Sequence, residues 1–138
     1  MHGKPFLDTN IFLYAFSANE PDKQKIAKEL ILFDSVVSAQ VINETSVNLI
    51  KKFKLSEEDV QEFIKSSYAR YQLSPVDREV FLEASFLRVK YHFSYYDSII
   101  VASALGFACN ILYSEDMQHN LIVNNSLKII NPFATQTH

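Results

Sequence analysis

Phe6-Leu7-Asp8-Thr9-Asn10 runs straight into a second apolar run, Ile11-Phe12-Leu13-Tyr14. An apolar pair followed by an acid, a hydroxyl and an amide predicts a short buried strand that delivers a carboxylate to the end of a sheet. In open α/β sheets, ligands and catalytic groups collect at that carboxyl-terminal rim. Asp-Thr-Asn is also good turn and helix-cap chemistry, so Asp8 has a structural use whatever else it does.

Downstream, strands and helices alternate. Pro21 suits the first turn of a helix whose apolar stripe is Ile26, Ala27, Leu30 and Ile31. Val36-Val37 predicts a second strand, and Ser38 caps a helix with Val41, Ile42, Thr45, Leu49, Ile50 and Phe53 inward. Ser56 to Asp59 has capping-box spacing and opens a helix carrying Val60, Phe63, Ile64, Tyr68 and Tyr71. Gln72-Leu73 is a brief third strand. A helix from about Asp77 to Tyr91 is expected to bury Phe81, Ala84 and Leu87. Ser94 opens another, running apolar to about Gly106. Asn110 to Tyr113 and Leu127 to Ile130 read as further strands, separated by a polar loop with a helical turn. Near-continuous apolar strands alternating with helices predict a parallel sheet covered on both faces. No repeat or linker interrupts residues 1–138, which are expected to form a single domain.

The chain has 138 residues, 48% apolar and 21% charged, an ordinary globular mixture. A net charge of −3 points to no particular partner. Metal-binding carboxylates add negative charge that a bound ion offsets, so nucleic acid is not excluded. The single cysteine, Cys109, allows no internal disulfide and fits a buried small side chain in a reducing compartment. No signal peptide is expected, and the uncharged stretch from Ser98 to Ser114 falls short of the roughly 20 residues of a membrane span. The expectation is a soluble, cytoplasmic protein.

Four acids occupy places that could meet. Asp8 follows the first strand, and Asp116 follows Ile111-Leu112-Tyr113. Asp97 lies in the first turn of a buried helix, where a capping role with Ser94 would explain it. Glu44 borders the inward face of its helix, where an unpaired charge is costly. No arginine in these segments would pair with them. Two such charges about 4 Å apart repel by on the order of 4 kcal/mol at an effective dielectric near 20, which a cation must relieve. Oxygen ligands select magnesium or manganese over zinc. Such an ion suits hydrolysis of a phosphodiester or a phosphomonoester, and periodicity does not choose between them.

These residues also resemble a known family. Leu7-Asp8-Thr9-Asn10, the helical Glu44, Ser94-Tyr95-Tyr96-Asp97-Ser98-Ile99-Ile100-Val101-Ala102 and Tyr113-Ser114-Glu115-Asp116-Met117-Gln118-His119 are similar to the PIN domain. They most resemble the VapC-type ribonuclease toxins of toxin–antitoxin pairs, as does the ending Ile129-Ile130-Asn131-Pro132-Phe133. The resemblance spans essentially the whole chain and implies a three-layer α/β/α sandwich with a central parallel sheet. It also implies a Mg²⁺- or Mn²⁺-dependent endoribonuclease, homodimeric and inhibited by a cognate antitoxin protein. By position, Asp8, Asp97 and Asp116 would be metal ligands and catalytic residues. Glu44 would hold a metal directly or through water and orient the attacking water. Thr9, Asn10 and Ser114 would hydrogen-bond those carboxylates and fix their rotamers. Asn120 departs from the family, which often has glycine there.

Several neighbours carry two readings. Glu115 is expected as a solvent-facing loop acid and His119 as a structural hydrogen-bonder. Lys51, Lys52 and Lys54 could guide an RNA backbone or simply end a helix. Phe63, Tyr68 and Tyr71 could line a groove for an antitoxin helix. A catalytically silent PIN scaffold binding RNA or a protein, or another metal-dependent phosphoesterase, would use the same residues.

Overall fold

The computed structural model describes residues 3–134. Strand β1 (Phe6–Leu7) is followed by α1 (Thr9–Ala15) and α2 (Pro21–Leu30), then β2 (Val36–Ser38), α3 (Ala39–Lys51) and α4 (Glu57–Arg70). Next come β3 (Gln72–Ser74), α5 (Arg78–Tyr91), α6 (Tyr95–Gly106) and β4 (Ile111–Tyr113), with β5 (Ile122–Val123) and β6 (Leu127–Ile130) last. The sheet order is β3-β2-β1-β4-β6-β5, parallel except for the edge pair β5–β6.

That order produces two helical layers. From β1 the chain steps outward to β2 and β3, and with right-handed crossovers the intervening helices fall on one face. From β3 it jumps back past β1 to β4, so α5 and α6 fall on the other. The contacts agree: α1 packs on α2 and α3, α3 on α4, and α5 on α6. This is an α/β/α arrangement with a mostly parallel central sheet. Phe6, Leu7, Val36, Val37, Leu112 and Ile129 are buried in it, as strands covered on both faces must be.

Local chemistry sets most of the helix starts. Ser38 accepts from Val41 N at 3.2 Å, and Asp77 from Val80 N at 3.2 Å. Ser56 and Asp59 complete a reciprocal capping box. At the other end of α5, His92 takes a left-handed conformation, φ 62°. Among the described residues no helix is long and apolar enough to cross a membrane. Cys109 is buried, which pushes its thiol up to about 11 and leaves little thiolate.

Three expectations are corrected. The loop before β6 holds no helical turn but the strand β5, antiparallel to β6 and joined to it through Asn124, Asn125 and Ser126. Both asparagines have positive φ, a conformation asparagine tolerates well. Two residues are too few to show strand alternation, so the strand left no periodic signal. Phe81 is 46% exposed, because the buried stripe of α5 is Val80, Ala84 and Leu87, one position out of step with it. Ile50, Ile64 and Tyr68 are likewise exposed, at the margins of their helical stripes.

Candidate active site

β1 and β4 are adjacent and parallel, with Leu7 opposite Tyr113, so the residues following them leave the sheet at one rim. On either side of this pair the chain turns into opposite helical layers. This is the topological switch point, where an open sheet forms its crevice. Asp8, Thr9, Asn10, Glu44, Asp97, Glu115 and Asp116 all line a cleft of about 380 Å³ there. That volume is at the small end of the range for ligand sites.

Each acid is held by neighbours. Asp8 is the N-cap of α1: one carboxylate oxygen accepts from Thr9 N at 2.7 Å, and the other accepts from the Ser114 hydroxyl at 2.7 Å. Cap and site are therefore the same residue used through two oxygens. Ser114 Oγ also accepts from Asp116 N at 3.2 Å, which couples the two acids that follow β1 and β4. Asn10 clamps the same loop, donating to Asp116 at 3.0 Å and accepting from Glu115 N at 3.3 Å. Glu44 accepts from the Thr9 hydroxyl at 3.2 Å and from the Gln40 amide at 2.7 Å. In α6, Ser94 accepts from Asp97 N at 3.2 Å, but the returning bond that completes the box at Ser56 and Asp59 is not made. The Asp97 carboxylate is left to face the cleft.

The charge of this group is uncompensated. Asp8 is 5% exposed, and burial pushes its carboxyl up to about 7, with the negative Asp116 and Asp97 adding to the effect. The hydrogen bonds from Ser114 and Thr9 only partly offset this. Asp97 is raised chiefly by burial; the Ser94 hydroxyl beside it offsets part of this, and the charges of Asp116 and Glu44 add to the rise. Among the described residues no lysine or arginine forms an ion pair with Asp8, Glu44, Asp97 or Asp116. An all-oxygen donor set with excess negative charge fits a hard divalent cation. The acids surround the cleft rather than closing a cage: among the described residues no three acidic, histidine or cysteine side chains converge on one point. Magnesium, which keeps much of its water and takes few protein ligands, is the ion such an open arrangement suits.

Glu115 departs from expectation. Its carboxylate accepts from Lys23 at 2.6 Å and from the Tyr14 hydroxyl at 2.5 Å, so it is a tied residue and not a free loop acid. Burial alone would raise Glu115, but the bonds from Lys23 and Tyr14 outweigh it and hold the carboxyl below its usual range. The Lys23 ammonium also lies 4.7 Å from the centre of the Tyr14 ring. His119 is turned away from the acids and accepts from Asn131 N through Nδ1 at 2.9 Å. Asn120 adopts φ 71°, the left-handed region that glycine would also fill. Lys52 lines the cleft, but Lys51 and Lys54 do not. Phe63 and Tyr71, with Phe12 and Phe16, line a separate apolar groove, from which the exposed Tyr68 is missing.

Sequence reasoning missed Gln40, Tyr14 and Lys23. Gln40 stands four residues before Glu44 on one helix, a spacing that does signal contact. Lys23 meets Glu115 across 92 residues, and no local pattern announces that.

A doubly wound sheet with hydrogen-bonded acids at its switch point defines a class of α/β proteins built around an anionic cleft. The sequence matches the PIN domain over residues 6–122, and the chain belongs to that family. No curated protein matches it in sequence. Its fold is similar to that of a toxin–antitoxin complex from Klebsiella pneumoniae, with TM-score 0.71, 17% identity, and coverage of 95% of this chain and 99% of that one. It is also similar to Mycobacterium tuberculosis VapC20, described as a sarcin–ricin loop cleaving toxin. There the TM-score is 0.66 at 16% identity, covering 81% of this chain and 89% of that one. FitAcB from Neisseria gonorrhoeae gives 0.64 at 19% identity, covering 95% and 99%.

Proposed function

We propose that this chain, as one PIN-like domain across residues 1–138, is a Mg²⁺- or Mn²⁺-dependent endoribonuclease and the toxin of a toxin–antitoxin pair. The observation that carries the reading is the group of four acids around one cleft, none of them neutralised by a lysine or arginine among the described residues. Asp8, Asp97 and Asp116 would hold the ion, with Glu44 beside them. When bound, the ion would neutralise charge on the phosphodiester and lower the pKa of a water. The chain's own part is positioning. Thr9 and Gln40 fix both oxygens of Glu44, so its carboxylate is set to orient the attacking water and accept its proton. Ser114 and Asn10 hold Asp8 and Asp116 in one register across the rim.

Partners follow from the same reading. VapC20 is described as a sarcin–ricin loop cleaving toxin, and the similar Klebsiella pneumoniae structure as a toxin–antitoxin complex. These support RNA as substrate and an antitoxin protein as inhibitor. The groove of Phe12, Phe16, Phe63 and Tyr71 would receive an apolar helix face. Leu82, Phe86 and Val89 form an exposed row at helical spacing on α5, which supports a homodimer.

The test is cleavage of a transfer-RNA and ribosomal-RNA panel in Mg²⁺ or Mn²⁺, with EDTA and Asp97→Asn beside it. Discrete fragments that vanish with both controls are expected. Cleavage that survives Asp97→Asn would remove this site from the reaction. RNA bound but left intact with Mn²⁺ present would favour a silent PIN scaffold.

A further inference from the structure

Asp116 differs from the other three acids in what carries it. Asp8 is the cap of α1, Glu44 lies within α3 and Asp97 within α6, whereas Asp116, itself exposed, sits on the loop between β4 and β5. A helix fixes its side chains through its own backbone bonds. A loop residue is placed only as well as its loop is tied down. Ser114 and Asn10 hold Asp116 from inside the rim. The outer side of the loop is held by β6 and the chain that follows it.

That attachment has two parts. β6 pins both ends of the loop: Ser114 N donates to the Ile130 carbonyl at 3.0 Å and Asn120 N to the Ile129 carbonyl at 2.7 Å, while Asn131 N donates to His119 Nδ1. Beyond β6, Asn131 builds a turn, its side-chain oxygen accepting from Phe133 N at 2.9 Å and its carbonyl from Ala134 N at 3.2 Å. The turn sets the Phe133 ring edge-on to Tyr14, with centroids 4.8 Å apart, and the Lys23 ammonium lies 5.8 Å from the Phe133 ring centre. The Tyr14 hydroxyl accepts from Lys23 at 3.2 Å and donates to Glu115, the residue beside Asp116. Phe133, Tyr14 and Lys23 are all partly buried, and together they form the wall on which the Glu115 carboxylate rests.

Orienting partners of a ligating carboxylate typically change metal affinity by about 10- to 100-fold when removed. We propose that the turn Asn131–Phe133 is a strap that positions Asp116, through Tyr14 and Lys23 on Glu115 and through His119 on the end of the loop, and so sets how tightly the rim holds a divalent cation. Phe133 lies outside the cleft, so its part is positioning and not contact with the reacting groups. The proposal rests on the metal site of the ribonuclease reading, but its test reads metal binding without RNA.

Mn²⁺ would be titrated into RNA-free protein and the unbound ion followed by electron paramagnetic resonance. Phe133→Ala should weaken binding about tenfold, while Phe133→Tyr, which keeps the ring, stays near the parent. In an Asp116→Asn background the same Phe133→Ala change should cost nothing further, because the strap acts through Asp116. Tyr14→Phe keeps the ring packing and loses only the hydroxyl. It should lose affinity in the same direction, and it carries the test if thermal melts in EDTA show that Phe133→Ala does not fold. Parent-like Mn²⁺ affinity in folded Phe133→Ala or in Tyr14→Phe, or an equal loss in the Asp116→Asn background, would overturn the proposal. A parent that binds no Mn²⁺ would overturn it together with the metal-dependent reading. Binding that depends on Phe133 without any RNA cleavage would defeat the nuclease reading alone and leave this one standing.

Discussion

Asp8 combines three duties in one side chain: it caps α1, accepts from Ser114, and carries charge into a cleft already negative. In the folded chain its carboxyl is held at about 7, against 3.8 in the unfolded one. Between those values the folded chain keeps a proton that the unfolded chain has released. The associated stability is therefore complete below pH 3.8 and is lost as pH rises through about 7. Metal-free protein in EDTA should accordingly melt at progressively lower temperature from acid to neutral pH. Asp8→Asn should flatten that dependence and stabilise the metal-free protein at pH 8 by up to about 4 kcal/mol. Thermal melts of both proteins along a pH series would check this, and parallel curves would refute it.

Among the elements, α6 starts on a single side-chain cap. Ser94 satisfies Asp97 N and thereby sets the first turn from which both Tyr96 and Asp97 face the cleft. Ser94→Ala should cost about 1 kcal/mol in urea unfolding, with the slope of the transition unchanged. The α2 helix is tied to the site from a distance, because Lys23 reaches Glu115 in the loop after β4. Lys23→Met should lower the melting temperature and, on the ribonuclease reading, reduce cleavage through the loop that carries Asp116. Lys23→Arg, which keeps the charge, should recover part of both. A Lys23→Met protein with parent-like melting and cleavage would show that this tie positions nothing.

For the whole molecule, the row Leu82, Phe86 and Val89 lies on α5, away from the helices that form the apolar groove. On the homodimer reading, Phe86→Glu would place a charge inside the interface and should shift the protein from dimer to monomer in sedimentation equilibrium. A parent that is already monomeric would refute the homodimer, and a variant that stays dimeric would place the contact elsewhere.

What the sequence determined by itself is what short-range chemistry controls. The pairing of apolar strands with following acids and the caps at Ser38, Ser56 and Ser94 depend on neighbours within a few residues. So do the stripes of α3 and α6, and all were legible. The ends of the stripes were less so: Phe81 looks core-like by type, yet it lies one position from the row that faces α6. Only the tertiary structure decided that β4 returns to the far side of β1. The same jump brings Ser114 to Asp8 and Asn10 to Asp116, each across 106 residues. It likewise decided that Glu115 belongs to Lys23 and that Asn124 and Asn125 join a hairpin. Such pairings are set by sheet register and crossover handedness, which act through the packed whole and leave no period in the chain.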